Sequence, residues 1–482
     1  MIITGYKIMR LFRNCQFFLR TFSIFFAVFT LFTNLSSVNA GPKKRHHHGR
    51  KAKESAGEPI RTNKALSLTE QIDDILQSTH LAKSSFSIQV ISLSDGHSIY
   101  EKNAELPLNP ASNMKVVTEA AALQSLGGDF TFKTEFYTDA HPTTDGQVGK
   151  LWIKGGGDPW LVTEEVESIA DEFAAAGIRE ITGPVFVDDS FFDHSNTTTY
   201  LSDRGDRLYN ILTGSLSFNF NSKLVGSRQG LRMGDQAELI PPSHKRSFSK
   251  HSVRSVRASS DPGIYAASNI LQTFESKGIK IDPSAIVATR DTVPQGAVPL
   301  FTHKSPPLRE ILKGMGKFSN NFIAEQVLKT MGAVRYGVPG STSKGVMVQK
   351  EYLTSLGIPG GIQGNFVLDN GSGLSRVSRI SSAQLVQVLS DQYNNPHREE
   401  FIDSLSVFGV DGTLRAKSKS SPLREKVFAK TGTLNDVKSL SGYLFDGRQK
   451  VAFAFIFNDF QMSPRRVVQV EEAILKTVME RL

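Results

Sequence analysis

Apolar residues after Ser67 recur first at helical spacing and then in the alternation of a strand. Ser67 and Glu70 have the spacing of a capping box, and the apolar positions that follow predict a helix. Apolar and polar residues alternate over residues 86–90, which predicts a strand, and Asp95-Gly96 is a turn signal before a return strand at Ile99-Tyr100. The pattern therefore predicts a helix followed by a β-hairpin.

A strongly apolar helical pattern opens within residues 110–115 and ends at Gly127-Gly128. From about residue 131 to residue 300 the pattern changes to short units, in each of which a helix closes at glycine and a short apolar strand follows. Two such units begin at Val166 and at Ile264. We interpret this part as an α/β module inserted between the segments on either side of it.

The last part of the chain reads as helix, then strands, then a closing helix. Residues 322–328 are helical in pattern, and residues 467–482 have the apolar spacing of a C-terminal helix. Neighbouring antiparallel strands are predicted for three apolar segments between them, at residues 427–433, 440–445 and 451–457.

The first forty residues have the order of a secretory signal. They carry four basic residues and no acid, then an apolar run from Phe22 to Phe32, and then small residues that predict cleavage after Ala40. The apolar run is short for a membrane span, and an uncleaved anchor is the alternative. Because the only cysteine, Cys15, lies in this segment, the exported chain would have no disulfide. We therefore expect a signal peptide at 1–40 and a periplasmic or other extracytoplasmic location.

The formal net charge of +9 is concentrated near the N-terminus. The signal and a basic arm, residues 41–65, carry it, so the rest of the chain is close to neutral and no nucleic-acid partner is expected. The arm has the composition of a disordered, solvated tail. Contact with anionic envelope surfaces is the alternative for the arm, and metal binding by its histidines at 46–48 is a weaker one.

Ser112 and Lys115 form a Ser-x-x-Lys quartet at the start of a predicted helix. Residues three apart share a helix face, so the amine can reach the hydroxyl. The amine can take the serine proton where burial or nearby positive charge lowers its pKa from about 10.4. Ser247/Lys250 and Ser341/Lys344 have the same spacing, but neither pair opens an apolar helix. The alternative is that Ser112 caps the helix and Lys115 is solvated.

Two later motifs offer the groups that such a serine needs. Ser319-Asn320-Asn321 precedes a predicted helix and supplies a hydroxyl for proton relay and an orienting amide at Asn321. Ser217-Phe218-Asn219 also fits Ser-x-Asn, but it lies in the inserted module. On the predicted strand at 430–433, Lys430, Thr431 and Thr433 can hold a carboxylate, and Gly432 leaves room for a substrate strand. The backbone N–H of Thr433 can join that of Ser112 in an oxyanion hole.

With these three motifs the sequence resembles the penicillin-binding proteins and serine β-lactamases. Longer stretches resemble the class C low-molecular-mass carboxypeptidases of the penicillin-binding protein 4 type, peptidase family S13, at residues 156–159, 369–376, 410–414 and 429–434. The resemblance implies a multidomain α+β and α/β fold. A transpeptidase-like domain with an antiparallel sheet and helices on its faces, residues 66–130 and 301–482, would be interrupted by the inserted α/β module at 131–300.

The resemblance implies a serine-type D-alanyl-D-alanine carboxypeptidase that hydrolyses peptidoglycan stem peptides without a metal or organic cofactor and is acylated by β-lactams. Ser112 would be the nucleophile, Lys115 the base, Ser319 the proton shuttle and Asn321 an orienting amide. Substrate-binding roles fall on Lys430, Thr431, Gly432 and Thr433.

Five questions stay open on the sequence alone. Endopeptidase activity on cross-bridges is compatible with the same motifs, as is a serine β-lactamase. A non-catalytic cell-wall-binding protein with a relic site is the alternative from another class. The third residue of the stem peptide and the oligomeric state are also left undetermined.

Overall fold

The computed structural model of the protein describes residues 60–194, 212–225, 255–258, 261–359 and 366–481, except residues 61–62, 80, 82–83, 284 and 286. The predicted signal peptide and most of the predicted basic arm lie outside these residues, as does the second Ser-x-x-Lys quartet, Ser247/Lys250. No helix in the described part is long and apolar enough to cross a membrane.

The helices of the described residues are α1 Leu68–Ser78, α2 Met114–Leu126, α3 Thr163–Ala175, α4 Pro262–Ser276, α5 Leu308–Phe318, α6 Asn321–Tyr336, α7 Thr342–Ser355, α8 Ser382–Asn394, α9 Arg398–Ser404 and α10 Pro464–Arg481. The predicted capping box is confirmed, because Ser67 Oγ accepts from the Glu70 N–H at 3.3 Å and the Glu70 carboxylate accepts from the Ser67 N–H at 2.8 Å. The predicted C-terminal helix is also confirmed, as α10.

The strands are β1 Ser85–Ser92, β2 Ser98–Lys102, β3 Lys133–Thr138, β4 Gln147–Val148, β5 Leu151–Gly155, β6 Glu180–Ile181, β7 Val185–Asp188, β8 Ser222–Val225, β9 Ser255–Ala258, β10 Lys280–Ile281, β11 Val287–Arg290, β12 Val298–Lys304, β13 Ser406–Val407, β14 Val427–Leu434, β15 Val437–Phe445 and β16 Lys450–Asn458. The predicted hairpin is β1 and β2, and the three predicted antiparallel neighbours are β14, β15 and β16.

The main sheet is antiparallel, in the order β13-β14-β15-β16-β1-β2. Because β1 pairs with β16, for example at Ile88 opposite Phe455, the segment before residue 131 and the segment after residue 300 share one sheet. On one face, α1 and α10 cover alternate apolar side chains of β16, including Phe453, Phe455 and Phe457. This face holds the larger apolar core.

The opposite face of the main sheet packs against α8. Ser87 of β1 hydrogen-bonds Ser382 at the start of α8 at 2.8 Å, and Tyr443 of β15 donates to the Leu389 carbonyl of α8 at 2.8 Å. Helix α2 lies buried among α5, α6, α7 and α8 on this side. Helices therefore cover this face, on the side opposite to α1 and α10.

The segment between the two halves of this domain forms its own sheets. Strands β11-β7-β5-β3-β12 make a mixed sheet and β10-β6-β4 a small parallel one, with a separate β8-β9 pair. Helices α3 and α4 bury Phe173 and Phe274 against Phe136 of β3. Strand β12 pairs with β3 as far as Lys304, across the predicted boundary at residue 300. We propose Lys304 as the end of the inserted module.

Candidate active site

Ser112 lies on a tight turn that is bonded to a strand far away in the sequence. The turn is the 3₁₀ helix Ala111–Asn113, directly before α2, and Ala111 has a left-handed φ of 46°. The Asn113 amide donates to Ser439 and accepts from Ser441, both on β15. The turn is therefore fastened to the main sheet, and Ser112 precedes the α-helix rather than capping it.

Lys115 is fully buried one turn after Ser112. Its Nζ donates to Ser112 Oγ at 3.2 Å, to Asn321 Oδ1 at 2.7 Å and to the Ser372 carbonyl at 2.6 Å. Burial first, and then the charge of Lys430, hold the pKa of Lys115 well below its usual value, while the Glu325 carboxylate opposes them. The alternative of a solvated Lys115 is wrong, because the tertiary fold closes over this helix face.

Ser319 lies in the short connection between α5 and α6. Its φ of 56° is left-handed and ends α5, while the Asn320 side chain caps α6 by accepting from the Ile323 N–H at 3.1 Å. Lys430 Nζ donates to Ser319 Oγ at 2.8 Å. The connection therefore delivers one hydroxyl to Lys430 and, two residues later, one amide to Lys115.

Lys430 of β14 is the second buried amine of the site, 1% exposed. It also donates to the Thr431 carbonyl at 2.8 Å. Burial lowers the pKa of Lys430 to about 7, and the charge of Glu119 opposes that shift. Strand alternation places Lys430 and Gly432 toward the Ser112 turn and the Thr431 and Thr433 side chains toward the other face of β14.

The threonine hydroxyls and the glycine of β14 have partners within the chain. Thr431 Oγ1 donates to Thr413 Oγ1 at 2.8 Å, and Thr433 Oγ1 accepts from Lys438 at 2.8 Å, so neither is bonded to Lys430. A Cβ at Gly432 would lie 2.8 Å from the Pro110 carbonyl and would overlap the Ser439 hydroxyl. The packing of the Ser112 turn therefore requires glycine at position 432, and the place of Gly432 beside a substrate strand stays a prediction.

The two set-aside sequence matches that lie among the described residues have structural roles. Ser341 caps α7 by accepting from the Lys344 N–H at 3.1 Å, and Lys344 Nζ donates to the Gly337 carbonyl. Asn219 accepts from the Thr163 N–H at the start of α3. Neither motif is joined to the Lys115 and Lys430 amines.

The family model for the D-Ala-D-Ala carboxypeptidase 3 (S13) family matches residues 68–210 and 247–478, most of the chain. The chain belongs to this family. A D-alanyl-D-alanine carboxypeptidase of Actinomadura sp. strain R39 is 27% identical over 438 residues, which cover 81% of each chain. The predicted family and the penicillin-binding-protein type of fold are thereby confirmed.

Two solved structures resemble this S13 family member in fold. Penicillin-binding protein 4 of Haemophilus influenzae superposes with a TM-score of 0.71 at 23% identity, covering 85% of this chain and 99% of that one. The same protein complexed with a β-lactam superposes with a TM-score of 0.66 at 23% identity, covering 84% and 99%.

Several site residues of this S13 carboxypeptidase had no predicted role. Glu325 and the Ser372 backbone lie against Lys115, and Asn113 and Ser439 fasten the Ser112 turn. The glycines at 369–374 were the one available signal, since they permit close backbone approach. Among the described residues, no three His, Cys, Asp or Glu side chains group as metal ligands would.

Proposed function

We propose that this D-Ala-D-Ala carboxypeptidase works through a covalent acyl-enzyme on Ser112. The observation that carries the proposal is the pair of buried amines, with Lys115 Nζ 3.2 Å from Ser112 Oγ and Lys430 Nζ 2.8 Å from Ser319 Oγ. A lysine can act as a base near neutral pH only when its ammonium form is disfavoured, and burial beside a second cation does this.

The proposed reaction begins when Ser112 Oγ attacks the carbonyl carbon between the two D-alanines and neutral Lys115 takes the hydroxyl proton. Backbone N–H groups of Ser112 and Thr433 are the proposed oxyanion donors. The carbon–nitrogen bond then breaks, and the leaving D-alanine amine receives a proton through Ser319, whose hydroxyl is held by Lys430. Water then attacks the ester carbonyl and gives a proton to Lys115. The bond between the carbonyl carbon and Ser112 Oγ breaks, the shortened peptide leaves with a new carboxyl group, and Lys115 returns the proton to Ser112.

The terminal carboxylate of the substrate is the proposed partner of Lys430 in its protonated form, because a cation beside the shuttle hydroxyl would hold the leaving D-alanine in place. Asn321 is the proposed orienting amide, since its oxygen accepts from Lys115. Thr431 and Thr433 would contribute by supporting β14 or through their backbone groups, because their hydroxyls are engaged with Thr413 and Lys438.

The test is intact-mass detection of a penicilloyl adduct, together with release of D-alanine from a stem pentapeptide. We expect an adduct of one penicillin on the wild type, none on Ser112→Ala, and an adduct on Ser341→Ala, the matched serine that caps α7. A wild type that forms no adduct and releases no D-alanine contradicts the proposal. Rapid turnover of benzylpenicillin without D-alanine release would identify a β-lactamase instead.

We also propose that the chain acts on peptidoglycan peptides outside the cytoplasm. The support is the order of basic, apolar and small residues before Ala40. Expression with a C-terminal tag, fractionation, and N-terminal sequencing of the mature chain would check it; a mature N-terminus other than Gly41 contradicts the proposed cleavage site.

A further inference from the structure

The loop of residues 369–374 supplies the shortest of the three hydrogen bonds made by the Lys115 amine. The Ser372 carbonyl accepts at 2.6 Å, against 2.7 Å for Asn321 Oδ1 and 3.2 Å for Ser112 Oγ. The three acceptors together determine where the Nζ lies. Any shift of the Ser372 carbonyl therefore changes the distance between the base and the serine it is proposed to activate.

Glu325 is the charged side chain that bonds the backbone of Ser372, while the neutral Asn370 donates to the Ser372 hydroxyl at 2.9 Å. Glu325 lies on α6, one turn after Asn321, and its Oε1 accepts from the Ser372 N–H at 2.9 Å while its Oε2 accepts from the Gly371 N–H at 3.3 Å. Two successive N–H groups thus point at one carboxylate. Ser372 bonds Glu325 through its N–H and Lys115 through its C=O, so a single residue connects the two charged groups.

A second bond braces the loop from the helix that carries Lys115. Thr118 Oγ1 donates to the Gly371 carbonyl at 2.7 Å, and a Cβ at Gly371 would lie 2.7 Å from the Ala324 carbonyl of α6. The loop is therefore held between α2 and α6. Glu325 is the charged side chain of α6 that accepts from the loop's backbone N–H groups.

The charge of Glu325 acts on the amine as well. The charged groups that face Lys115 are Lys430 from β14 and Glu325 from α6, while Glu119, on the same helix as Lys115, acts on Lys430. Lys430 lowers the pKa of Lys115 and Glu325 raises it. Removing the carboxylate charge should therefore favour the neutral amine at a lower pH.

We propose that Glu325 is a positioning residue of the carboxypeptidase reaction, which holds the Ser372 carbonyl as the acceptor that fixes the Lys115 amine against Ser112. The proposal rests on the proposed function, since it needs Lys115 to be the base. Glu325 itself touches neither Ser112 nor, in the reaction above, the substrate.

The experiment measures the second-order rate of acylation by a fluorescent penicillin across a range of pH for wild type, Glu325→Gln, Glu325→Asp and Glu351→Gln. Glutamine has the shape of glutamate, but its amide NH₂ would face one of the two backbone N–H donors. We expect Glu325→Gln to acylate about 100-fold more slowly, the loss typical of a reacting group misplaced by about 1 Å. We expect the rising limb of its pH profile to move to lower pH.

The other two variants separate positioning from general damage. Aspartate keeps the charge and both acceptors at a shorter reach, so Glu325→Asp should recover about tenfold of the lost rate, with a rising limb close to that of the wild type. Glu351→Gln removes a glutamate charge at an exposed pair with Arg335 and should acylate like the wild type.

The results separate the proposed function of the protein from the proposed positioning role of Glu325. A wild type that is not acylated overturns the proposed function. If the wild type is acylated and Glu325→Gln is acylated equally fast, the positioning role alone is overturned. The same holds if the variants lose rate in proportion to their loss of melting temperature and the rising limb of the pH profile does not move. If Glu325→Gln does not fold, the rate and pH limb of Glu325→Asp decide: a wild-type profile at a wild-type rate supports only a structural role.

Discussion

Replacing Gly373 by alanine should separate the loop of residues 369–374 from the Ser112 turn. Gly373 has φ of +80°, and a Cβ there would overlap the backbone carbonyl of Ala111, the residue before Ser112. Backbone cannot rotate away as a flexible side chain can, so the two segments must move apart by about 1 Å, a displacement that costs about 100-fold in rate when it separates reacting groups. We expect Gly373→Ala to lose about that factor in acylation by penicillin.

The matched control is Gly357→Ala. Gly357 has nearly the same φ, +78°, but nothing lies within 4 Å of the added Cβ. Gly357→Ala should lose about 1 kcal/mol of unfolding free energy, because alanine is strained at a left-handed φ, and Gly373→Ala should lose more, because its Cβ also displaces the Ala111 carbonyl. Acylation rates and urea denaturation of the two proteins provide the comparison. If Gly373→Ala reacts as fast as Gly357→Ala, the loop does not determine the position of Ser112 and the reasoning fails.

Three further predictions concern charged groups. Carboxypeptidase activity should fall above about pH 7, where Lys430 loses its proton. Because arginine stays charged, the activity that Lys430→Arg retains should not fall in this range, and an unchanged alkaline limb in this variant would contradict the prediction. Burial raises the pKa of Glu119 from 4.5 to about 8, so between these pH values the folded chain binds more protons than the unfolded chain, and the unfolding free energy falls as pH rises. Glu119→Gln should remove this dependence. Parallel curves of unfolding free energy against pH for the wild type and the variant would refute the prediction. Asp193→Ala removes the carboxylate 2.9 Å from the buried Lys329 amine and should lower the unfolding free energy, measured by urea denaturation, by about 2 kcal/mol. Asp171→Ala, at a more exposed pair with Lys277, should lower it by less than about 1 kcal/mol. Equal losses in the two variants would contradict the reasoning from burial.

Local pattern was sufficient for several of the elements. The capping box at Ser67, the β1 hairpin, the three antiparallel strands and the C-terminal helix all follow from short-range periodicity and turn chemistry, which act within about ten residues. Pattern did not predict strand β12, which crosses the expected module boundary at residue 300 and is paired with β3 as far as Lys304.

The same division holds at the site. Ser112, Lys115, Ser319 and Lys430 could be chosen from motif spacing, and the structure brings them together as two hydrogen-bonded pairs. The orientation of Gly432 could not be chosen, because motif spacing does not reveal that its open face is filled by the turn of residues 110–111. Spacing locates a side chain along its own element, whereas its neighbours come from elements hundreds of residues away.

The acids that act on the two lysines could not be predicted from the sequence. Burial destabilises each amine as a cation. One acid opposes this at each amine when it is ionised, Glu325 at Lys115 and Glu119 at Lys430, and burial raises the pKa of both acids. Glu119 lies four residues after Lys115 on α2, yet it acts on the lysine of β14, and Glu325 reaches Lys115 from α6. A pairing inferred from helix spacing would have joined Glu119 to Lys115 instead. The balance that leaves one lysine to accept a proton and the other to carry a charge is therefore produced by the packing of α2, α6 and β14, and it should change when any one of these contacts is altered.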